Sequence, residues 1–124
     1  MVWKGVIIEE SLGDKKLLDL VKIINTYKNT LENEEEKGFL HFHKIELEDS
    51  RKDKFIPRAK QAIKQGWYMH ICKGNKMAVI FRNRIFEFTD KEKTKINQAR
   101  KYGLSVGIKR EQMNFENLIK NPHD

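Results

Sequence analysis

The sequence predicts an α+β domain: a mostly antiparallel sheet containing a three-stranded meander, with helices packed mainly on one face. Three observations carry that expectation. Trp67 to Phe88, WYMHICKGNKMAVIFRNRIFEF, is dense in aromatic and β-branched residues and broken by two short polar steps. Val2 to Ile8 is apolar on both faces apart from Lys4, the pattern of a central strand. Elsewhere apolar residues recur at helical spacing.

Taken in order, Val2–Ile8 is the first strand. Ser11 then opens a helix start with Asp14 three residues on, near the capping-box spacing. Leu17, Leu18, Val21 and Ile24 form an apolar stripe, so the first helix is expected from Leu12 to Ile24. Asn25 to Lys37 is polar and ends in Glu34-Glu35-Glu36. It reads as a surface connection, with Thr26-Tyr27-Lys28 as the alternative of a short edge strand. Gly38 to Glu48 alternates as a second long strand. Asp49 and Ser50 can cap a second helix over Arg51 to Gln65, in which Pro57 either falls in the first turn or kinks the helix.

The meander follows. Gly74-Asn75 supplies its first reversal and Arg82-Asn83-Arg84 its second. Thr89-Asp90 opens a third helix carrying Ile96, Ala99 and Tyr102, with Gly103 placed as its left-handed stop. Leu104 to Ile108 makes a short strand or turn. Met113, Phe115, Leu118 and Ile119 make a short helical tail.

Composition bounds the function. A chain of 124 residues spans one domain, 1–124, with enough apolar surface for a core without metal or disulfide staples. The single cysteine, Cys72, cannot form an internal disulfide, so a reducing cytoplasm is expected. MVWKGVIIEES does not resemble a secretion signal, and no apolar run is long enough for a bilayer, so no membrane partner is expected. Net charge is +7, unevenly spread. Residues 1–49 carry 7 basic and 11 acidic groups, net −4; residues 50–124 carry 18 and 7, net +11. This asymmetry marks either an acidic-partner or nucleic-acid face, or solvated helix exteriors whose charges pair between the halves.

Several constellations could carry chemistry. His41 and His43 share one strand face, as do His70 and Cys72, a donor set with zinc-ligand chemistry. The apolar phase argues against that site, because Ile45 and Leu47 accompany His41/His43 whereas Met69 and Ile71 oppose His70/Cys72. No metal is therefore expected. Glu9 and Glu10, at the end of a buried strand, suit proton transfer or ligand contact, or only a helix N-terminus. The glycines form neither a Walker loop nor a dinucleotide fingerprint, and no cofactor is expected. Ala99–Ser105 resembles the first half of a helix-turn-helix, but Lys109 and Gln112 stand where the second helix needs apolar residues.

KGVIIEESL from Lys4 to Leu12, the block WYMHI…MAVIFRNRIFEF, and KYGLSVGI…QMNF from Lys101 to Phe115 together resemble a small family of uncharacterised bacterial and archaeal proteins. The resemblance implies a free-standing α+β domain and brings no activity or catalytic residue with it.

The expected function is a cytosolic binding module for a small anionic ligand or acidic partner. Its contact residues would be Lys4, Glu9, Glu10, His43, Trp67, Arg82 and Arg84, with Trp67 as an apolar wall. The alternatives are nucleic-acid association through Lys54, Arg58, Lys60 and Lys64, and a small enzyme using Glu9 or His43 as acid–base. Self-association through a sheet edge or the tail would give a homodimer.

Overall fold

Two-residue turns fold the second half of the sheet. β4 (Tyr68–Lys73), β5 (Lys76–Phe81) and β6 (Arg84–Thr89) pair antiparallel in the expected meander. Gly74 (φ 61°) makes the first reversal and Asn83 (φ 63°) the second, the side chain-tolerant choice for left-handed backbone. The computed structural model describes residues 2–31 and 34–124, so two residues of the Asn25–Lys37 connection lie outside the described residues.

β1 (Val2–Ile8) is the hinge between this meander and the rest. It pairs along its length with β3 (Leu40–Glu48) and, from Lys4 to Val6, with β4. β2 (Lys22–Asn29) adds to the far side of β3, giving one antiparallel sheet in the order β2-β3-β1-β4-β5-β6. The α+β class is as the sequence predicts.

The placement of the helices is not. Met77, Val79 and Phe81 alternate with Ala78 and Ile80 along β5, and all five are buried. Ala78 and Ile80 join Trp3, Ile7 and Ile45 beneath Phe55 and Ala59 of α1 (Lys52–Ala62). Met77, Val79 and Phe81 join Cys72 beneath α2 (Lys93–Ser105) and α3 (Phe115–Lys120). Helices therefore cover both faces, because β5 has apolar side chains on both.

Three elements differ from expectation. The segment expected as a helix from Leu12 to Ile24 is a 3-10 stretch, Lys15–Leu20, followed by β2. Asp14 caps that stretch by accepting the Lys16 N–H. Backbone pairing with β3 then outcompetes the helical stripe, leaving Ile24 exposed at a bulge where a helix would bury it. Thr26-Tyr27-Lys28 is thus in an edge strand. Pro57 lies inside α1 rather than in its first turn. α2 runs past Gly103 to Ser105 and stops at Gly107 (φ 92°). There Ile108 N–H donates to Gly103 O and Gly107 N–H to Leu104 O, the Schellman pattern one turn later than expected. Among the described residues no helix is long and apolar enough to cross a membrane.

Gly5 sits where β1 is paired on both sides, opposite Ile45 and Ile71. A Cβ there would lie 2.0 Å from the His70 carbonyl oxygen, which is backbone and cannot rotate away. Gly103 is also tight, but its nearest neighbour is the flexible Met113 sulfur at 2.2 Å. Gly5→Ala should therefore destabilise the chain more than Gly103→Ala, by about 3 kcal/mol or more in urea unfolding. Equal losses would mean that β1 and β4 can move apart.

Candidate functional site

α2 and α3 cover β4–β6 and leave the β1–β3 part of the same face partly open, with Ile8 and Phe42 only half-buried. A cleft of about 370 Å³ opens there. Its floor is Val6 and Ile8 of β1 with Phe42 of β3, and its aromatic wall is Trp67 and Tyr68 at the start of β4. Leu118 of α3 closes the far side, and Glu111, Asn114, Asn117 and Asp124 bring polar groups to the rim. The fourth side is the β2–β3 connection, which contributes Leu31, Glu34 and Lys37.

Two groups lining this cleft carry telling electrostatics. Glu34 is 7% exposed, and its carboxylate accepts from Lys37 Nζ at 3.2 Å. The same ammonium lies 4.4 Å from the centre of the Trp67 ring. His70, beneath, is buried with Nε2 bonded to the Pro122 carbonyl at 2.7 Å. Burial pushes the imidazole down to about 4, against the opposing pull of that carbonyl. It is therefore neutral near pH 7, and its Nε2–H is the donor. Next along β4, Cys72 is buried under α3, and burial raises its thiol to about 12, the setting of an inert sulfur.

A second polar cluster lies on the opposite face, at the carboxyl end of β1. A 3-10 turn, Glu9–Ser11, aims Glu9 at His43 and Glu10 at His41. His43 Nε2 donates to Glu9 Oε1 (3.0 Å), and His43 Nδ1 accepts from the Thr26 hydroxyl (2.7 Å). The bond from His43, then Lys15, holds the Glu9 carboxyl below its ordinary value despite partial desolvation. For Glu10 desolvation is the largest influence and pushes upward, but the His41 ring (2.6 Å) and His41 N–H (2.8 Å) outweigh it. Hydroxyl, imidazole and carboxylate are connected as in a nucleophilic triad. Thr26, however, is exposed on an edge strand, and none of the three groups lines the cleft. What the chain of bonds does is stitch β2, β3 and the end of β1 together.

Of the seven residues expected to gather around an anion, Trp67 alone lines the cleft. Glu9, Glu10 and His43 form the cluster just described. Lys4 is exposed on β1, in register with Glu46 and Cys72. Arg82 is engaged by backbone: its Nη1 donates to Gln61 O (2.8 Å) and Ile63 O (3.1 Å) at the end of α1. The Arg84 guanidinium stacks 5.0 Å from Phe86 and 4.9 Å from Tyr102. The anion site between arginines and histidine is thus not assembled. His41/His43 and His70/Cys72 point to opposite faces, as the apolar phase requires. Sequence reasoning missed Glu34, Lys37 and Phe42. The Glu34–Lys37 spacing is a signal for an ion pair, but nothing local marks Glu34 as buried. The chain matches no protein-family model, no curated protein and no solved structure.

His70 sets an acid limit on stability. Unfolded, it binds a proton near pH 6.5; folded, it resists until about 4. The unfolded chain therefore takes up more protons in that window, and stability present above pH 6.5 is lost as pH falls toward 4, by about 3 kcal/mol. Urea unfolding across that range should show the decline, and His70→Gln, which retains a donor for Pro122, should flatten it. An unchanged slope in the variant would assign the decline to other groups.

Proposed function

We propose that this chain is a cytoplasmic binding module whose ligand is a small organic molecule held in the Trp67 cleft. The observation that carries this is the cleft itself. At about 370 Å³ it has the size of a small-molecule site, with an apolar floor, aromatic walls and a few polar groups at defined places, buried Glu34 and His70 among them. The buried, inert Cys72 suits a reducing compartment. An anionic ligand finds less support than the sequence suggested, since Glu34, Glu111 and Asp124 line the cleft and Lys37 is its only lining cation among the described residues. Ligand-observed NMR with a set of small aromatic fragments tests the reading. Hits should bind wild type and weaken about tenfold or more in Trp67→Ala, measured below that variant's own unfolding midpoint because the ring also packs against the α1 layer. Fragments that bind equally well without Trp67, or no hits, would sink it.

A second reading, nucleic-acid association, rests on a basic ridge. From Lys54 to Lys64 the chain has no acidic residue. The Arg82-Asn83 turn is fastened to this segment by Asn83 N–H donating to Lys60 O (3.1 Å) and by the Arg82 bonds. Among the described residues, Lys54, Arg58, Lys60 and Lys64 have no ion-pair partner. Among the described residues, Lys73–Asp49 (2.8 Å) links the basic second half to the acidic first, and it lies away from this ridge. Oligonucleotide binding should fall steeply with salt. The quadruple alanine variant of those four residues should lower the log–log slope by about 0.7–0.9 for each phosphate it no longer neutralises. No binding at low salt would remove this reading.

A further inference from the structure

We propose that the cleft's ligand carries an ammonium group, primary or methylated, and that Lys37 holds that group's place until the ligand displaces it. The inference rests on the cleft being the binding site and names the class of ligand it takes.

The position is already built for a cation. Lys37 Nζ lies between the Glu34 carboxylate at 3.2 Å and the face of Trp67 at 4.4 Å. A carboxylate as buried as Glu34 is costly without a positive partner, and an aromatic face adds attraction for the same charge. Carboxylate and ring together define a cation subsite at the cleft wall.

The rest of the cleft continues the same preference. The chain as a whole carries +7, yet among the described lining residues the cleft has three carboxylates, Glu34, Glu111 and Asp124, against the one ammonium of Lys37. His70 adds no charge near pH 7. A net negative hollow in a strongly basic protein attracts cations and repels anions. Lys37 neutralises Glu34 but leaves the apolar floor, Val6, Ile8 and Phe42, lining open space. A ligand with an ammonium head and an apolar body satisfies both parts, whereas a lysine side chain satisfies the first.

Lys37 is also a replaceable occupant. It is the last residue of a 3-10 turn, Glu35–Lys37, whose backbone bonds run to Glu34 and Glu35 within the same connection. Its side chain is 34% exposed, so on displacement the ammonium returns to water with little rearrangement. The competition is intramolecular, and removing the competitor strengthens binding of a true ligand.

Isothermal titration calorimetry with phenethyltrimethylammonium and its neutral counterpart 2-phenylethanol tests this. Wild type should bind the cation about tenfold more tightly than the alcohol. Lys37→Met should tighten the cation about tenfold further and leave the alcohol unchanged, while Glu34→Gln should abolish the preference. If Lys37→Met is poorly folded because Glu34 loses its partner, the cation should raise its melting temperature and the alcohol should not. Equal affinity for the two probes, lost in Trp67→Ala, would overturn the ammonium assignment and leave the cleft reading standing. Failure of both probes to bind wild type and Lys37→Met would overturn both. Weaker cation binding by Lys37→Met would show that Lys37 assists the ligand rather than standing in for it, and would overturn the displacement.

Discussion

β1 can serve two neighbours because its centre carries no side chain. At Gly5 the strand passes between β3 and β4, so close to His70 that any Cβ would meet the carbonyl oxygen. That approach joins two hairpin systems, β2–β3 and the β4–β6 meander, into one six-stranded sheet. Both hydrophobic layers depend on it. Trp3 and Ile7 on one side of β1 belong to the α1 layer, and Val6 on the other side reaches the cleft beneath the α3 tail. Pull β1 from β4 and each layer divides.

The same junction positions the candidate site. Because β1 lies between β3 and β4, Ile8 and Phe42 face each other and Val6 stands opposite His70. α3 packs against β4, with Phe115 reaching Tyr68 and Phe88, and the cleft opens beside it over Val6, Ile8 and Phe42. The helical tail contributes through Leu118 and through the Pro122 carbonyl that accepts from the neutral His70 ring. The wall thus draws on segments far apart in the chain: the first strand, the β2–β3 connection, the start of β4 and the tail.

Polar groups divide between bracing and contact. Glu9, Glu10, His41, His43 and Thr26 satisfy one another and tie the edge strand to the centre. Arg82 fastens the last hairpin to α1. Trp3 is similarly tied, its Nε1–H donating to Asp49 (2.7 Å) while Lys52 and Lys73 lie over its ring. These residue types read as chemistry in a sequence, yet each is engaged by partners that lock the fold. Ile23 and Ile24, 42% and 46% exposed on the β2 edge, are the apolar groups left facing solvent there, and the bulge beside them interrupts the regular edge.

Sequence alone determined whatever depends on neighbours close along the chain. The meander follows from β-branched runs split by Gly74-Asn75 and Arg82-Asn83. The central place of Val2–Ile8 in the sheet follows from its two apolar faces, and the opposition of His43 to His70 follows from the two-residue strand period. The glycine stop of α2 was right in chemistry and one turn early in place, because two glycines compete and local rules do not choose between them. Tertiary structure decided the rest. Lys22–Asn29 is a strand because β3 offers it a free ladder, which a helical stripe in isolation does not reveal. Glu34 is buried, Lys37 finds Trp67, and Arg82 finds carbonyls rather than a ligand, since each environment is built by segments remote in sequence. Periodicity reports which side chains share a face; only the packed fold decides what that face meets.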